Sequence, residues 1–415
     1  MSHTDAIQVY QAKTNAEISV AVNNALSTYK AVLPQDKGAT VVIKPNLNSN
    51  MNALTGNTTD LRILASLVRG LKARGYRNII IAEGTNSGFY RQGINVIARL
   101  KVDSLAKVLG VKHRDTNYDQ TEPVKYEDCV EAEMAKTYLE AACFINVPKI
   151  KMHYETMMSV CLKSLIGTLA GMMNKQKTHY SLIKNICNLN AKLKPTLHIV
   201  DAVIAMEGTG PTTGTPIRTG VILAGTNPYL LDMAAAEIAH VDFGEVPALV
   251  ESEKRGLITG DQKDYVASLD LRKISRPFRR PELSLLTRVV THKKYQKYFQ
   301  RIRHAPLVGK IFDEGWGNKL LFKLRVTQEV MISRDSAVTA MRRNRGKCTN
   351  CGTCVKHCPM GLSLPEELCK GGECITCLYC YSVCPNMAIS IDGDLGFYQE
   401  QINQYDKLVR ENAKE

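Results

Sequence analysis

Eight cysteines near the carboxyl end constrain what this chain can be more than any other feature. In "CTNCGTCVKHCP", which begins at Cys348, two residues separate successive cysteines and three precede Cys358, which proline follows. The same spacing recurs from Cys374 to Cys384. The eight are Cys348, Cys351, Cys354, Cys358, Cys374, Cys377, Cys380 and Cys384. A two-residue spacing lets one tight loop bring three thiolates to one metal centre, so the repeat predicts two centres.

The spacing favours two 4Fe–4S clusters over zinc. CxxC pairs also form zinc sites, but zinc needs only four thiolates per site and gives no reason for the Cys-Pro endings. In the bacterial run of this type, the fourth cysteine of each motif binds the other cluster. One predicted ligand set is therefore Cys348, Cys351, Cys354 and Cys384. The other is Cys374, Cys377, Cys380 and Cys358.

Residues 347–391 resemble the two-cluster bacterial ferredoxins, with a long connector that carries the additional Cys369. The resemblance implies a small α+β domain, predicted at 348–392, that passes single electrons. A polar tail, 393–415, follows it. The other cysteines show no ligand spacing, and they are Cys129, Cys143, Cys161, Cys187 and Cys369.

The rest of the composition predicts a cytoplasmic protein. Thirteen cysteines in 415 residues, without a visible signal peptide, favour metal or redox chemistry over disulfides. The longest apolar run, 164–173, is about half the ~20 residues that a transmembrane helix needs. We therefore expect no transmembrane segment.

The positive charge lies in one segment. The formal net charge is +14, and residues 272–347 hold 20 Lys/Arg against 5 Asp/Glu. We interpret 261–347 as a basic helical connector between domains. Its aromatic residues Tyr295, Tyr298 and Phe299 leave a nucleic-acid or anionic-membrane surface as an alternative. No recognised nucleic-acid motif is present, so nucleic acid is the less favoured partner.

Residues 1–260 have the pattern of an α/β domain. Five short apolar runs predict strands at 40–47, 78–84, 142–148, 197–204 and 220–226. Helical patterns at 60–75 and 228–240 alternate with them. This alternation favours a mostly parallel sheet with helices on both faces, whose ligands bind at the carboxyl ends of the strands.

Polar side chains follow these strands and form the candidate site. We expect catalytic roles for Lys151, His153, Lys163 and His179. Ligand- or cofactor-binding candidates are Lys44, Asn46, Glu83, Asp201, Glu207 and Gly208. Alone, each lysine could be a solvated surface residue and the glycine-rich stretch only a turn. Because strand ends meet at one sheet edge, and because Lys163 interrupts an apolar stretch, a basic pocket for an anionic ligand is the favoured interpretation.

Several stretches together, among them "VVIKPNL", "INVPKIKMH" and "HIVDAVIAMEGTGPTTG", resemble the domain-of-unknown-function family numbered three-sixty-two. The resemblance covers roughly residues 38–260, and members often carry a carboxyl-terminal ferredoxin module. It implies an α/β iron–sulfur protein with a shared site. The family's pattern falls on Lys44, Pro45, Asn46, Lys151, His153, Asp201, Met206, Glu207, Gly208, Gly210 and Pro211. Ser164 stands where the family usually has asparagine.

Two functions fit these observations. The first is an iron–sulfur oxidoreductase, a reductase that passes electrons from two 4Fe–4S clusters to an anionic small molecule in the α/β domain. His153 or His179 would supply protons. The second is a non-catalytic electron-transfer or cluster-delivery protein that docks to a partner enzyme. Neither a flavin nor a nicotinamide motif is visible, so an external ferredoxin or reductase is the expected electron donor.

Overall fold

The computed structural model describes residues 6–86, 93–127, 130–282, 334–363 and 373–399, with residues 402 and 406. The strands are β1 Gln8–Gln11, β2 Val41–Pro45, β3 Ile79–Glu83, β4 Lys112–Asp115, β5 Thr121–Lys125, β6 Glu131–Ala135, β7 Cys143–Val147, β8 Lys149–His153, β9 Met157–Ser159, β10 Leu197–Glu207, β11 Thr215–Gly225, β12 Ala337–Arg343 and β13 Ile389–Asp394. The α-helices are α1 Asn15–Thr28, α2 Leu61–Ala73, α3 Val96–Arg99, α4 Val102–Val108, α5 Lys136–Leu139, α6 Cys161–Ser164, α7 Gly171–Thr178, α8 Leu182–Lys192, α9 Pro228–Ile238, α10 Pro247–Lys254, α11 Gly260–Ser268, α12 Thr353–Lys356 and α13 Tyr379–Val383.

The main sheet is mixed and mostly parallel, as the sequence predicts. Its order is β1-β11-β10-β7-β2-β3-β4. The run from β10 to β4 is parallel, whereas β11 pairs antiparallel with both β1 and β10. Strand β8 continues the line of β7 along β10 after Pro148, and β9 pairs with β8. Proline has no N–H for the ladder, so the strand is interrupted there.

Both faces of the sheet are covered, and alternate side chains enter different cores. Val41 and Ile43 of β2 pack in the core formed with α1 and α2. Val42, between them, packs on the opposite face with Phe144. Successive strand residues point to opposite faces, so the continuous apolar runs are those of strands buried on both sides. This confirms the predicted α/β class.

The carboxyl-terminal module is small and internally repeated. Strands β12 and β13 pair antiparallel, and α12 and α13 each lie within one cysteine motif. The backbone has positive φ at matching positions of the two motifs, which are Asn350 and Thr376, Gly352 and Leu378, and Gly361 and Met387. The two cysteine runs therefore fold as two copies of one loop. Strand β12 lies before the predicted 348–392 range.

The module packs directly against the α/β domain. Ile375, Tyr379 and Val383 are buried in the same core as α1 and α2. The Arg69 guanidinium of α2 donates hydrogen bonds to the carbonyls of Pro359 and Met360, at 3.1 and 3.2 Å. The module is thus held by both apolar burial and polar contacts.

The basic connector is described only in part. Helix α11 and a 3₁₀ helix, Leu271–Ile274, begin it. Residues 283–333, with Tyr295, Tyr298 and Phe299, lie outside the described residues, as do Cys129 and Cys369. None of the helices in the described ranges combines the length and apolarity needed to cross a bilayer.

Candidate functional site

A cavity of about 420 Å³ lies beyond the carboxyl ends of β2 and β3. The segment 161–178 contains the apolar run 164–173. It is divided into α6, a 3₁₀ turn and α7, and it forms one wall of the cavity. Polar side chains dominate the lining, which includes Asn46, Asn48, Glu83, Lys151, His153, Glu155, Lys163, Ser164, Lys175 and His179. All four predicted catalytic residues are therefore brought to one cavity.

Lys151 is almost completely buried, and protein oxygens surround its ammonium group. Nζ donates to Oδ1 of Asn46 at 2.7 Å, to Oδ1 of Asn48 and to the carbonyl of Asn57 at 2.7 Å. Burial and the nearby Lys163 lower the pKa of Lys151 well below its usual range. Three acceptors match the three donors of an ammonium, and they counter this shift. Lys151 therefore orients two asparagine amides at the cavity wall.

His153 and Lys163 form a pair in which each constrains the other's protonation. Nδ1 of His153 accepts a hydrogen bond from the backbone N–H of Glu155 at 3.0 Å, so the ring proton lies on Nε2. Nε2 contacts Nζ of Lys163. A neutral imidazole that donates from Nε2 requires an unprotonated amine as its acceptor. This contact therefore forms when Lys163 is neutral, and a protonated Lys163 must direct its N–H groups to other acceptors.

The pKa shifts set the pH range in which Lys163 passes from its protonated to its neutral state. Burial lowers the pKa of Lys163 to about 8, partly offset by Glu155. Burial, together with Lys163, lowers the pKa of His153 well below its usual range. Near neutral pH His153 is therefore uncharged, and Lys163 changes its charge close to physiological pH.

A second polar group lies across the cavity. Nζ of Lys44 pairs with Oε2 of Glu83 at 2.9 Å and donates to Oγ of Ser164 at 3.2 Å. Nζ of Lys175 donates to the carbonyl of Thr85 at 3.0 Å and to Asn117. Burial raises the pKa of Glu83 to about 7, although Lys44 opposes the shift, and burial lowers that of Lys175 to about 8.

The charge balance of the lining is positive when these lysines are protonated. Three lysines line the cavity, and its carboxylates already have basic neighbours: Glu83 pairs with Lys44, and Glu155 lies 3.5 Å from Nδ1 of His179. Buried cations are stable only beside an anion or strong acceptors. The arrangement is therefore suited to an anionic ligand.

Of the six predicted binding residues, all of them within the described ranges, only Asn46 and Glu83 line the cavity. Lys44 contacts the lining residues Glu83 and Ser164, and the other three lie elsewhere. Asp201 is buried and pairs with Lys149 at 2.9 Å, below the sheet edge. Glu207, at the end of β10, accepts from the guanidinium groups of Arg276 and Arg279. Gly208 donates its N–H to the carbonyl of Arg279. None of the three predicted residues is among those that line the described cavity.

Other lining residues have no signal in the sequence that marks them as part of a site. Gly84 and Gly167 meet at the cavity floor, where the Gly84 N–H donates to the Gly167 carbonyl at 3.1 Å. Tyr154 and Tyr180 line the cavity and are 38% and 44% exposed. Glycine has no side chain whose chemistry could mark it as part of a site, and exposed tyrosines are common on any protein surface. Only the spatial arrangement reveals these residues.

Gly167→Ala should destabilise the protein and distort the cavity. A Cβ at this position would clash with the Glu83 carboxylate and lie 2.9 Å from Nζ of Lys44. Overpacking of a buried site costs roughly 1–3 kcal/mol. Urea unfolding would measure the loss. Gly244→Ala is the matched control, because no heavy atom lies within 4 Å of its added Cβ; equal stability of the two variants would contradict the prediction.

Two further cavities lie within the cysteine module. The first thiol cavity, about 160 Å³, is lined by Cys348, Cys351, Cys354 and Cys384. The second thiol cavity is lined by Cys358, Cys374, Cys377 and Cys380. None of these eight forms a disulfide, and the backbone N–H of Ala388 donates to Sγ of Cys384 at 3.2 Å. Four thiols at each cavity, together with the N–H···S hydrogen bond to Cys384, fit iron–sulfur ligation.

A short segment joins the module to the cation-lined cavity. The backbone N–H of Leu61 donates to the Tyr379 hydroxyl at 3.4 Å, beside Cys377 and Cys380. Two residues earlier, Oγ1 of Thr59 accepts from the backbone N–H of Asn46, at the cavity wall, at 2.8 Å. Residues 59–61 therefore contact both sites.

Comparison with known proteins finds a curated relative and several solved structures, among them a distant one. The thylakoid-associated protein sll1697 of Synechocystis sp. is 30% identical over 131 residues, which are 30% of this chain and 40% of the relative. This chain thus matches less than half of that relative's length. The lactate racemase apoprotein from Thermoanaerobacterium thermosaccharolyticum matches with a TM-score of 0.38 and 12% identity over 58% of this chain and 59% of that chain. That likeness is too distant to carry an argument.

Family models match both parts of the chain. The model described as domain of unknown function (DUF362) matches residues 41–237, which include the cation-lined cavity. The model described as 4Fe-4S dicluster domain matches residues 340–385, which include all eight cysteines. Residues 41–237 are therefore similar to the DUF362 family, and residues 340–385 form a dicluster domain for two 4Fe–4S clusters.

Proposed function

We propose that the chain is an iron–sulfur reductase that acts on an anionic small molecule bound in the cation-lined cavity. The observation that supports this most is the position of Lys151, Lys163 and Lys175 around one cavity. That cavity is linked through residues 59–61 to the dicluster domain. A one-electron carrier and an anion site in contact through one segment favour electron delivery to the bound molecule.

The chain's own residues divide the remaining work. Lys163 and Lys175 hold the anionic group and stabilise negative charge that develops on reduction. Lys151 keeps the Asn46 and Asn48 amides in place. The two clusters, bound by the sets of four cysteines that line the two thiol cavities, supply single electrons. Tyr154 and Tyr180, at the cavity mouth, exclude water from a planar substrate.

Lys163 is a better proton donor than His153. A general acid is most effective when its pKa lies near the working pH. Burial lowers the pKa of Lys163 to about 8, whereas that of His153 lies well below its usual range. His153 then orients the neutral Lys163 amine by donating a hydrogen bond from Nε2. His179, beside Glu155, is a second candidate proton donor.

Ligand binding and cluster reoxidation test the proposal. Holoprotein, prepared without oxygen and reduced with dithionite, would be mixed with benzoate, inorganic phosphate and a panel of reducible carboxylates and phosphates. We expect anions to raise the thermal midpoint and at least one to reoxidise the clusters, followed by their visible absorption. Lys163→Met/Lys175→Met should lose both effects while retaining the absorption. If no anion binds the wild type, the cavity assignment is wrong.

Single cysteine variants test the ligand sets. Cys354→Ser and Cys377→Ser remove one proposed ligand from the first and second thiol cavity respectively, and each should lower iron content towards half. Cys187→Ser, a buried cysteine outside the module, is the control and should keep full iron. Iron analysis and electron paramagnetic resonance would measure this. Full iron in both module variants would contradict the sets.

A non-catalytic electron carrier is the second candidate. It is favoured by the exposed position of Cys351 at the first thiol cavity, which would suit exchange with a partner protein. A carrier should reduce a partner yet bind none of the anions above. In either case we propose an external ferredoxin or reductase as donor and a cytoplasmic location.

A further inference from the structure

The two thiol cavities differ in what surrounds them. The second is closed by the α/β domain, because Arg69 contacts the carbonyls of Pro359 and Met360, and Tyr379 contacts Leu61. The first lies on the outside of the module. Cys351 at its wall is exposed, whereas Cys358 at the second is buried. A partner protein can therefore approach the first cavity more closely than the second.

The surface around the first thiol cavity is cationic. Residues 342–356 contain five arginines or lysines and no aspartate or glutamate. Lys347 and Lys356 are exposed, and they flank the cysteines of this cavity in the sequence. Arg343 lines the cavity itself. Of the five, Arg342 is neutralised by Asp392 at 3.0 Å.

The same surface also exposes two apolar side chains. Val355, in the lining of the first thiol cavity, is 39% exposed. Met387, next to the lining residue Asn386 in the sequence, is 62% exposed. Protein interfaces combine apolar and charged side chains, and charge complementarity speeds the encounter.

We propose that this cationic face, defined by Arg345, Lys347, Lys356, Val355 and Met387, is the docking surface for an acidic electron-donor protein. The inference rests on the proposed external donor. In each encounter the donor, an acidic iron–sulfur protein, would lose one electron, and a cluster held by the four cysteines of the first thiol cavity would gain it. The second site, against α2, then lies between the docked donor and the cation-lined cavity.

Binding of an acidic plant-type 2Fe–2S ferredoxin tests this surface. Isothermal titration at low salt with wild-type holoprotein should show an affinity that falls as salt is added, because exposed charges are screened. Lys347→Glu/Lys356→Glu should weaken binding at least tenfold with unchanged visible absorption. Lys192→Glu/Lys194→Glu, at two exposed lysines of the α/β domain, makes the same charge change and should alter affinity less than twofold.

Several results would overturn the inference. If both double variants weakened ferredoxin binding equally, net charge alone would determine the affinity. If Lys347→Glu/Lys356→Glu did not weaken ferredoxin binding, the ferredoxin would bind at a different surface. Binding to phosphatidylserine vesicles through Lys347 and Lys356, without ferredoxin binding, would assign the face to a lipid surface instead. The assay measures docking and not substrate turnover. Loss of the docking proposal therefore leaves the reductase proposal intact, and loss of the reductase proposal leaves the docking proposal intact.

Discussion

Asp60→Ala should lower the free energy of unfolding by about 3–5 kcal/mol, which is the usual cost of removing one partner from a buried ion pair. Asp60 and Arg62 are both fully buried. Their bidentate contact includes Nη2 of Arg62 to Oδ2 of Asp60 at 2.7 Å and Nε at 3.1 Å. The variant would leave the guanidinium without its counter-charge. It would also remove the cap of α2, since Oδ1 accepts from the Arg62 N–H at 2.9 Å.

The pH dependence of this pair has a definite sign. Burial alone would raise the pKa of Asp60, but Arg62 outweighs it and holds the pKa below its usual value. A lowered folded-state pKa contributes stability above the unfolded value, and that contribution is lost as pH falls. Wild-type stability should therefore decline in acid below about pH 4 more steeply than that of Asp60→Ala.

Urea unfolding of the holoprotein, without oxygen, would measure both effects. Asp264→Ala is the control, because Asp264 is exposed on α11. It should unfold at nearly the wild-type midpoint. An Asp60→Ala midpoint equal to that of the control would show that the buried pair contributes little.

Anion affinity should fall steeply as pH rises through about 8. Burial lowers the pKa of both Lys163 and Lys175 to about 8. Both are cationic below that pH and neutral above it, so an anion loses its counter-charges on the alkaline side. For one group of this pKa, the protonated fraction falls roughly 20-fold from about pH 7.5 to about 9.5. If both charges are required, the loss is roughly several hundredfold.

Benzoate is a suitable probe because its own charge is constant over this range. Titration calorimetry across the range would give the slope of log affinity against pH. Lys163→Met or Lys175→Met alone should reduce the maximum slope from about two protons to about one. A wild-type affinity that is independent of pH would contradict a role for these lysines in anion binding.

The strands that fill the centre of the sheet are predictable from the sequence, whereas the edge and the cavity strands are not. The predicted runs at 40–47, 78–84 and 142–148 correspond to β2, β3 and β7, which are buried on both faces. Strand β4, "KHRD", is mostly exposed and has no apolar signal. Strand β8, "KIKMH", follows the predicted run 142–148 and alternates apolar with basic residues, so it has no continuous apolar signal.

Lys149 and Lys151 of β8 are nearly fully buried, which composition alone does not suggest. Their burial depends on partners that are distant in the chain, such as Asp201 for Lys149 and Asn57 for Lys151. Proximity of Lys44 to Glu83 likewise follows from parallel pairing of β2 with β3. The candidate site could therefore be located by strand ends, but its pairing could not be derived.

The segment 59–61 has an energetic consequence. The segment contacts Tyr379 of the dicluster domain and Asn46 of the cavity wall. Any free energy that orders the segment therefore affects both contacts. Thermodynamic reciprocity requires that any gain in ligand affinity caused by iron loading be matched by an equal gain in iron retention caused by the ligand.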